Sequence, residues 1–244
     1  MIAIISDIHS NQEALTAVLG DIRARDIEQV LVLGDVIGYG PDPEACLALI
    51  RAAHPLAVLM GNHEQALIEG CPDNMRAIAR TPIDWTRERC SVEDLAWIAD
   101  WPNLCEGEGF MAVHGSPRDP VLEYIMPLSI RRPEKMLEIF TIIGDRVCAV
   151  GHTHQPGIFT RGLEFIRARE CKDGIYPCGG EPFIINVGSV GQPRDGDVRS
   201  SYAIYDGESV VFRRVEYDFT KTQEKIRAIE CFEPFLAHRL EVGH

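Results

Sequence analysis

Five short polar motifs interrupt the apolar stretches of this chain, and each carries side chains suited to binding metal ions or handling protons. They are Asp7-Ile8-His9, Gly34-Asp35-Val36-Ile37-Gly38, Gly61-Asn62-His63-Glu64, His114-Gly115 and Gly151-His152-Thr153-His154. Carboxylate, amide and imidazole groups make up the set, without a thiolate among them. Asp7 and His9 stand two apart where a strand ends, as do His152 and His154, and in extended backbone both members of such a pair point the same way. Asp35 and Asn62 each follow a strand directly, beside glycines that let the backbone turn sharply and approach a ligand. Singly, each motif is weak, since a lone Asp after a strand is usually a turn residue or a helix cap. Gathered at one sheet edge, so many metal-ligand side chains have no ordinary structural reason to coexist, and the chemistry they suit is metal binding.

Strands that end on a common edge must bring these groups together. Ile2 to Ser6 reads as a β-branched strand, and Asn11 to Arg25 as a helix with apolar spacing at Leu15, Val18, Leu19 and Ile22. Val30 to Leu33 reads as a second strand, Pro43 to Ala53 as a helix opened by Asp42, and Leu56 to Met60 as a third strand. Two successive βαβ units predict a parallel sheet whose post-strand loops collect at one edge. From Glu64 to Asp100 the pattern becomes helical segments broken by Pro72 and Pro82, with Trp85, Trp97 and Trp101 near their ends. Strand character resumes at Gly109 to Val113 and Val147 to Val150, then at Gly157 to Phe159, Phe183 to Val187, Ser201 to Tyr205 and Ser209 to Val215. This second half is expected to build an antiparallel or mixed sheet facing the first, and Phe219 to Leu240 to close the chain as a docked helical segment.

With 244 residues, the chain is long enough for one α/β domain over 1–244, with a helical insertion at about 64–102 and a helical tail at about 219–244. Apolar runs such as Met1 to Ile5 fall far below the ~18–20 residues that span a bilayer, so no membrane association is expected. The eight cysteines form no C-x-x-C pair and read as reduced thiols of a cytoplasmic protein, Cys171 and Cys178 included. A net charge of -13 opposes attraction to nucleic-acid phosphates, which disfavours a nuclease. A small phosphorylated substrate is compatible with that charge if the site carries its own cations. Nothing in the sequence opposes a homo-oligomer.

The motifs D-x-H, G-D-x-x, G-N-H-[ED], H and G-H-x-H, in this order from Asp7 to His154, resemble the calcineurin-like metallophosphoesterase superfamily. The Gly34 to Pro43 stretch, the insertion and Asn186-Val187-Gly188-Ser189-Val190 are most similar to its short prokaryotic phosphodiesterase branch typified by YfcE. The resemblance implies a two-sheet α/β/β/α sandwich. It implies that Asp7, His9 and His154 hold one metal ion, that Asn62, His114 and His152 hold a second, and that Asp35 bridges both. Such a donor set suits manganese, iron, zinc, cobalt or nickel better than magnesium or calcium. The implied reaction is attack on a phosphate ester by a hydroxide held between the two ions, with His63 donating a proton to the leaving oxygen or a hydrogen bond to the phosphoryl group.

One departure narrows the function. Phosphoprotein phosphatases of the superfamily continue the second motif as G-D-x-V-D-R-G, where the Asp orients the catalytic His and the Arg grips phosphate. Gly38 and Tyr39 hold those places here, and a phenol does not replace a guanidinium fork. The expected activity is therefore a phosphodiesterase on a small diester or nucleotide. The alternatives weighed are a dinucleoside polyphosphate hydrolase, a phosphomonoesterase or protein phosphatase, and a non-catalytic scaffold of the same fold, which would lack ligands that are all present here. Tyr39, Arg118, Tyr124 and Arg194 are candidates for contacting substrate, and the tryptophans of the insertion for a stacking face, against their commoner role as core residues. His54, His238 and His244 are read as structural.

Overall fold

A computed structural model of the chain describes residues 1–73 and 75–244; Asn74, within the stretch expected to be helical, lies outside them. The first half runs β1 (Ile2–Ile5), α1 (Gln12–Arg23), β2 (Gln29–Val32), α2 (Pro43–Ala53) and β3 (Ala57–Val58). Three helices follow, α3 (Asn62–Glu69), α4 (Ala77–Arg87) and α5 (Val92–Ala99), then β4 (Leu104–Gly107), β5 (Phe110–Val113), α6 (Pro133–Ile143) and β6 (Val147–Val150). The remainder is β7 (Gly157–Thr160), β8 (Phe165–Arg167), β9 (Ile175–Pro177), β10 (Phe183–Asn186), β11 (Ser200–Tyr205), β12 (Ser209–Val215), α7 (Phe219–Arg227) and α8 (Pro234–Val242).

The strands form two mixed six-stranded sheets, ordered β3-β2-β1-β11-β12-β9 and β4-β5-β6-β10-β7-β8. Side-chain alternation places them face to face. In β1, Ala3 and Ile5 pack outward with Leu15, Val18 and Leu19 of α1, while Ile4 points inward among Leu31, Ala149 and Ile185. In β6, Val147 and Ala149 face that shared middle layer, while Cys148 and Val150 pack outward with Met136, Ile139 and Phe140 of α6. Helices thus cover both outer faces, giving the α/β/β/α sandwich.

The structure differs from the sequence expectation in two places. β11 and β12 do not join the second sheet, because β11 pairs antiparallel with the free side of β1, with Ile2 opposite Tyr205 and Ile4 opposite Ala203. Pro82 does not end a helix but lies within α4, where Ala79, Pro82, Ile83 and Thr86 are buried together. Packing of that face outweighs the ~3 kcal/mol that an internal proline costs.

The tail docks through Phe232, Leu236, Ala237 and Leu240 onto Tyr39, Ile78 and Trp85, and Lys225 binds Glu13 at 2.5 Å and Asp42 at 2.9 Å. The turn after β10 is fixed by buried Asn186, which donates to Gly151 O and Thr153 Oγ1, both at 2.8 Å, and accepts from Gly188 N at 3.0 Å. Removing this side chain strands the buried amide of Gly188, worth about 1–3 kcal/mol, while Gly151 O keeps its bond from Thr153 N at 2.7 Å. Asn186→Ala should therefore lower unfolding stability by about 1–3 kcal/mol in urea denaturation, and an unchanged midpoint would contradict the assigned network.

Candidate metal centre

The loops after the parallel strands β1, β2, β3, β5 and β6 carry all five motifs. Asp7, His9, Asp35, His63, His114, His152 and His154 are buried there, and Asn62 is partly exposed at the start of α3. Their convergence does not come from extended strand geometry. Asp7, His9, Asp35, His152 and His154 have φ of 54°, 50°, 51°, 64° and 60°, in the left-handed region that disfavours residues with a Cβ. Asp7 and His9 come within 3.8 Å because the chain coils tightly past the strand end, and the same coiling turns His152 toward His114 and His154 toward His9. Main-chain hydrogen bonds between neighbouring loops offset the strain: Asp7 N donates to Gly34 O at 3.1 Å, His9 N to Asp35 O at 2.9 Å and Ser10 N to Val36 O at 2.8 Å.

Glu64 locks the next pair of loops. Its carboxylate accepts from the amides of Asp35 at 2.8 Å, Ile37 at 3.0 Å and Gly61 at 3.0 Å. The approach is close enough that a Cβ on Gly61 would stand 2.3 Å from Asp35 Oδ1. The sequence motif contains Glu64, yet residue type alone did not reveal this anchoring role.

Each aspartate has one oxygen held by a main-chain amide and the other turned inward. Asp7 Oδ2 accepts from His152 N at 2.9 Å, and Asp35 Oδ1 from His63 N at 3.0 Å. Asp7 Oδ1 is buried without a hydrogen-bond partner, 3.1 Å from His154 Nε2 but not aligned with it. Asp35 Oδ2 lies 3.4 Å from His114 Nε2, 3.8 Å from His9 Nε2 and 4.0 Å from His63 Nε2.

Four imidazoles are pinned from behind by main-chain carbonyls. His9 Nδ1 donates to Ile37 O at 3.3 Å, His114 Nδ1 to Leu33 O at 3.0 Å, His154 Nδ1 to Gln192 O at 2.5 Å and His152 Nε2 to Leu122 O at 3.2 Å. A carbonyl only accepts, so the pinned nitrogen carries the proton and the inward one offers a lone pair when the ring is neutral. These inward nitrogens crowd together, His9 Nε2 and His154 Nε2 at 3.1 Å, His114 Nε2 and His152 Nδ1 at 3.0 Å, with Asn62 Oδ1 3.2 Å from His114 Nε2. Lone pairs so placed repel unless a proton or cation lies between them, and donors ~2.0–2.1 Å from one tetrahedral ion stand about 3.3 Å apart. Among the described residues, three overlapping groups could hold a metal ion: Asp7, His9 and His154; His9, Asp35 and His63; Asp35, His114 and His152. The unpartnered Asp7 oxygen and facing nitrogens fit divalent cations.

Burial and mutual charge set the protonation of these groups. Burial alone would raise the pKa of Asp35, but the charges of His114 and His63 hold it well below the ordinary carboxylate value. Asp7 is likewise lowered, burial being outweighed by His154. Burial pushes His9, His63 and His154 down, and burial together with the charge of His114 takes His152 down to about 3. His114 goes the other way: burial opposes protonation, but Asp35 raises it to about 9. Burial and the charge of Asp35 push Glu64 up to about 7.

His63 stands apart because its Nδ1 is buried with no partner. Gly38 backs onto it so closely, at φ +91°, that a Cβ there would lie 2.1 Å from Nδ1. The ring is instead wedged between Tyr39 at 4.5 Å and His9 at 4.8 Å. Of the other candidates, Arg194 reaches the centre: its guanidinium lies 5.8 Å from the Tyr39 ring and its amide donates to His154 O at 3.3 Å. Tyr124 stacks on His152 at 3.5 Å and 17°. Arg118 is instead committed to Glu138 at 2.6 Å and Glu123 at 3.5 Å. The tryptophans belong to packing: Trp97 and Trp101 meet edge to face at 5.0 Å and Trp85 packs on Phe232 at 5.1 Å. His54 ends α2 in a left-handed conformation, His238 pairs with Glu241 at 2.8 Å and all eight cysteines are free.

Comparison with known proteins places this arrangement. The calcineurin-like phosphoesterase superfamily domain matches residues 1–209. An uncharacterized protein of Methanocaldococcus jannaschii is 37% identical over 251 residues, covering 100% of this chain and 98% of that relative. The crystal structure of a metallophosphoesterase from Sphaerobacter thermophilus superposes with a TM-score of 0.86 at 35% identity, covering 100% of this chain and 98% of that one. A hypothetical protein from Pyrococcus horikoshii OT3 shares the fold, with a TM-score of 0.81 at 20% identity, covering 100% of this chain and 99% of that one. Family match, full-length similarity and the inward-facing Asp and His donors agree: the chain belongs to the calcineurin-like phosphoesterase superfamily.

Proposed function

We propose that this phosphoesterase is a phosphodiesterase acting on a small phosphodiester or nucleotide with two divalent transition-metal ions drawn from manganese, iron, zinc, cobalt and nickel. In this reading Asp7, His9 and His154 hold one ion, Asn62, His114 and His152 the other, and Asp35 serves both. When bound, the ions supply Lewis-acid polarisation of the phosphoryl group and acidify water.

The protein's own groups do the rest. Main-chain carbonyls behind His9, His114, His152 and His154 fix the ring orientations, so that the donors are preorganised. His63, whose Nε2 faces Asp35, delivers a proton to the leaving oxygen. Tyr39 and Arg194 border the scissile phosphate.

The observation that carries the diester assignment is the surface behind His63. Gly38 fills the place of an orienting carboxylate with no room for any side chain, and Tyr39 fills that of the phosphate-gripping arginine. A monoester dianion thus lacks its dedicated partner, whereas a diester, with one charge fewer, needs it less. The test is hydrolysis of bis(p-nitrophenyl) phosphate against p-nitrophenyl phosphate with each metal. The diester should be cleaved faster, and the reverse order overturns the assignment.

Two substitutions test the division of labour. Asp35→Ala should fold, bind less metal by elemental analysis and lose several orders of magnitude in turnover; near wild-type turnover in metal-replete buffer would sink the shared-ligand role. His63→Gln should keep its metal. Loss of general-acid help, typically about 10²–10⁴ in rate, should appear with a nucleotide diester and shrink with the nitrophenyl diester, whose leaving group departs unaided. Equal losses on both would instead assign His63 to binding the phosphoryl oxygens.

A further inference from the structure

Three of the four carbonyls that pin the imidazoles belong to buried residues, Leu33, Ile37 and Gln192. The fourth belongs to Leu122, which is 54% exposed and lies in the segment 115–126 between β5 and α6. A carbonyl on a surface segment can aim a ring only if the segment is itself held, since surface loops are otherwise the mobile parts of a fold. His152 depends on this segment twice: Leu122 O accepts from its Nε2 at 3.2 Å, and the Tyr124 ring stacks on its face at 3.5 Å and 17°.

Bonds within the segment shape its turn. Asp119 Oδ1 accepts from the amides of Val121 at 3.3 Å and Leu122 at 3.0 Å, and Gly115 N donates to Pro120 O at 2.7 Å. What seats the turn against the body is α6. Ile125 is buried among Met136, Ile139 and Phe140, and Lys135, in the first turn of α6, donates to Tyr124 O at 2.6 Å and pairs with Glu123 Oε1 at 3.2 Å. The Lys135 and Glu123 side chains are only 16% and 19% exposed, so this pair is less screened than an ordinary surface one. Glu123 passes the hold back to the start of the segment, accepting from Ser116 Oγ. A lysine in the first turn opposes the helix dipole, which favours anions there, so α6 by itself supplies no reason for Lys135; its contacts with the segment do.

Resting on the metal-binding reading above, we infer that Lys135 is a positioning residue for the metal centre: by holding Glu123 and Tyr124 O it fixes the Leu122 carbonyl and the Tyr124 ring that orient His152, and so sets the affinity of the Asp35, His114 and His152 group for its ion. Without the ammonium group, Leu122 O no longer stays opposite Nε2. The neutral ring then loses its reason to keep the proton there, and Nδ1, which faces His114 Nε2 at 3.0 Å, offers its lone pair for only part of the time. The Asp7, His9 and His154 group is untouched, because His9 and His154 are pinned by Ile37 and Gln192.

The experiment follows His152 by nitrogen NMR in metal-free full chain labelled in its imidazole nitrogens, with the signals assigned by His152→Asn. Wild type should show the ring protonated at Nε2 alone. Lys135→Met, which keeps the stem but drops the charge, should show both ring forms, and Lys135→Arg should restore the first. In titration calorimetry with manganese, Lys135→Met should weaken one of the two binding events about tenfold, the lower end of the ~10–100-fold range for losing a partner of a metal ligand, and leave the other unchanged. An unaltered His152 signal in folded Lys135→Met, or equal weakening of both events, overturns the positioning role. Absence of manganese binding in wild type overturns the metal reading instead, and the imidazole signal still decides whether Lys135 orients His152.

Discussion

A single buried carboxylate, that of Glu64, holds the metal-binding edge in register. It gathers the amides of Asp35, Ile37 and Gly61, and so ties the loop after β2 to the start of α3. Asp35 then sits with one oxygen on the His63 amide and the other free for the centre. Everything downstream depends on that placement, because Asp35 Oδ2 lies within 4.0 Å of His9, His63 and His114 alike. A carboxylate with three main-chain donors keeps its place inside the protein where a solvated loop would wander.

The centre also shows how an acidic protein prepares for an anionic ligand. Net charge governs the far field, but the local field is set by donors that demand cations. The facing nitrogens of His9 and His154 and the lone oxygen of Asp7 are costly to bury without a cation between them. The protein sustains them because these three side chains are fixed from behind by main-chain atoms, whose positions no single side-chain rotamer can upset.

Much of this was legible in the sequence. The short apolar runs of β1, β2, β6 and β10 were readable as strands, and the polar motifs that follow the parallel strands of the first and second sheets marked one edge. Three features escaped. β4, β8 and β9 are short and largely exposed, so they carry no apolar alternation to read. α6 had a readable stripe at Met136, Ile139, Phe140 and Ile143 that went unused. The partition of β11 and β12 into the first sheet depends on which strand edge is free, which is a property of the assembled sheet. At the site, the residue types were plain, but the carbonyls of Leu33, Ile37, Leu122 and Gln192 that aim the imidazoles have no signature in sequence.

The pairing of β1 with β11 carries a consequence for how the molecule comes to be. β1 is the first strand made, and its antiparallel partner Ser200–Tyr205 is among the last. During synthesis the apolar edge of β1 therefore stays open long after β2 and β3 have joined its other side, a template for pairing with another chain. Closing so distant a contact is slow because loop-closure entropy must be met before the contact rewards it. Assembly of the first sheet is thus governed by the arrival of β11, and the interval before that arrival is when the chain is most exposed to misassociation.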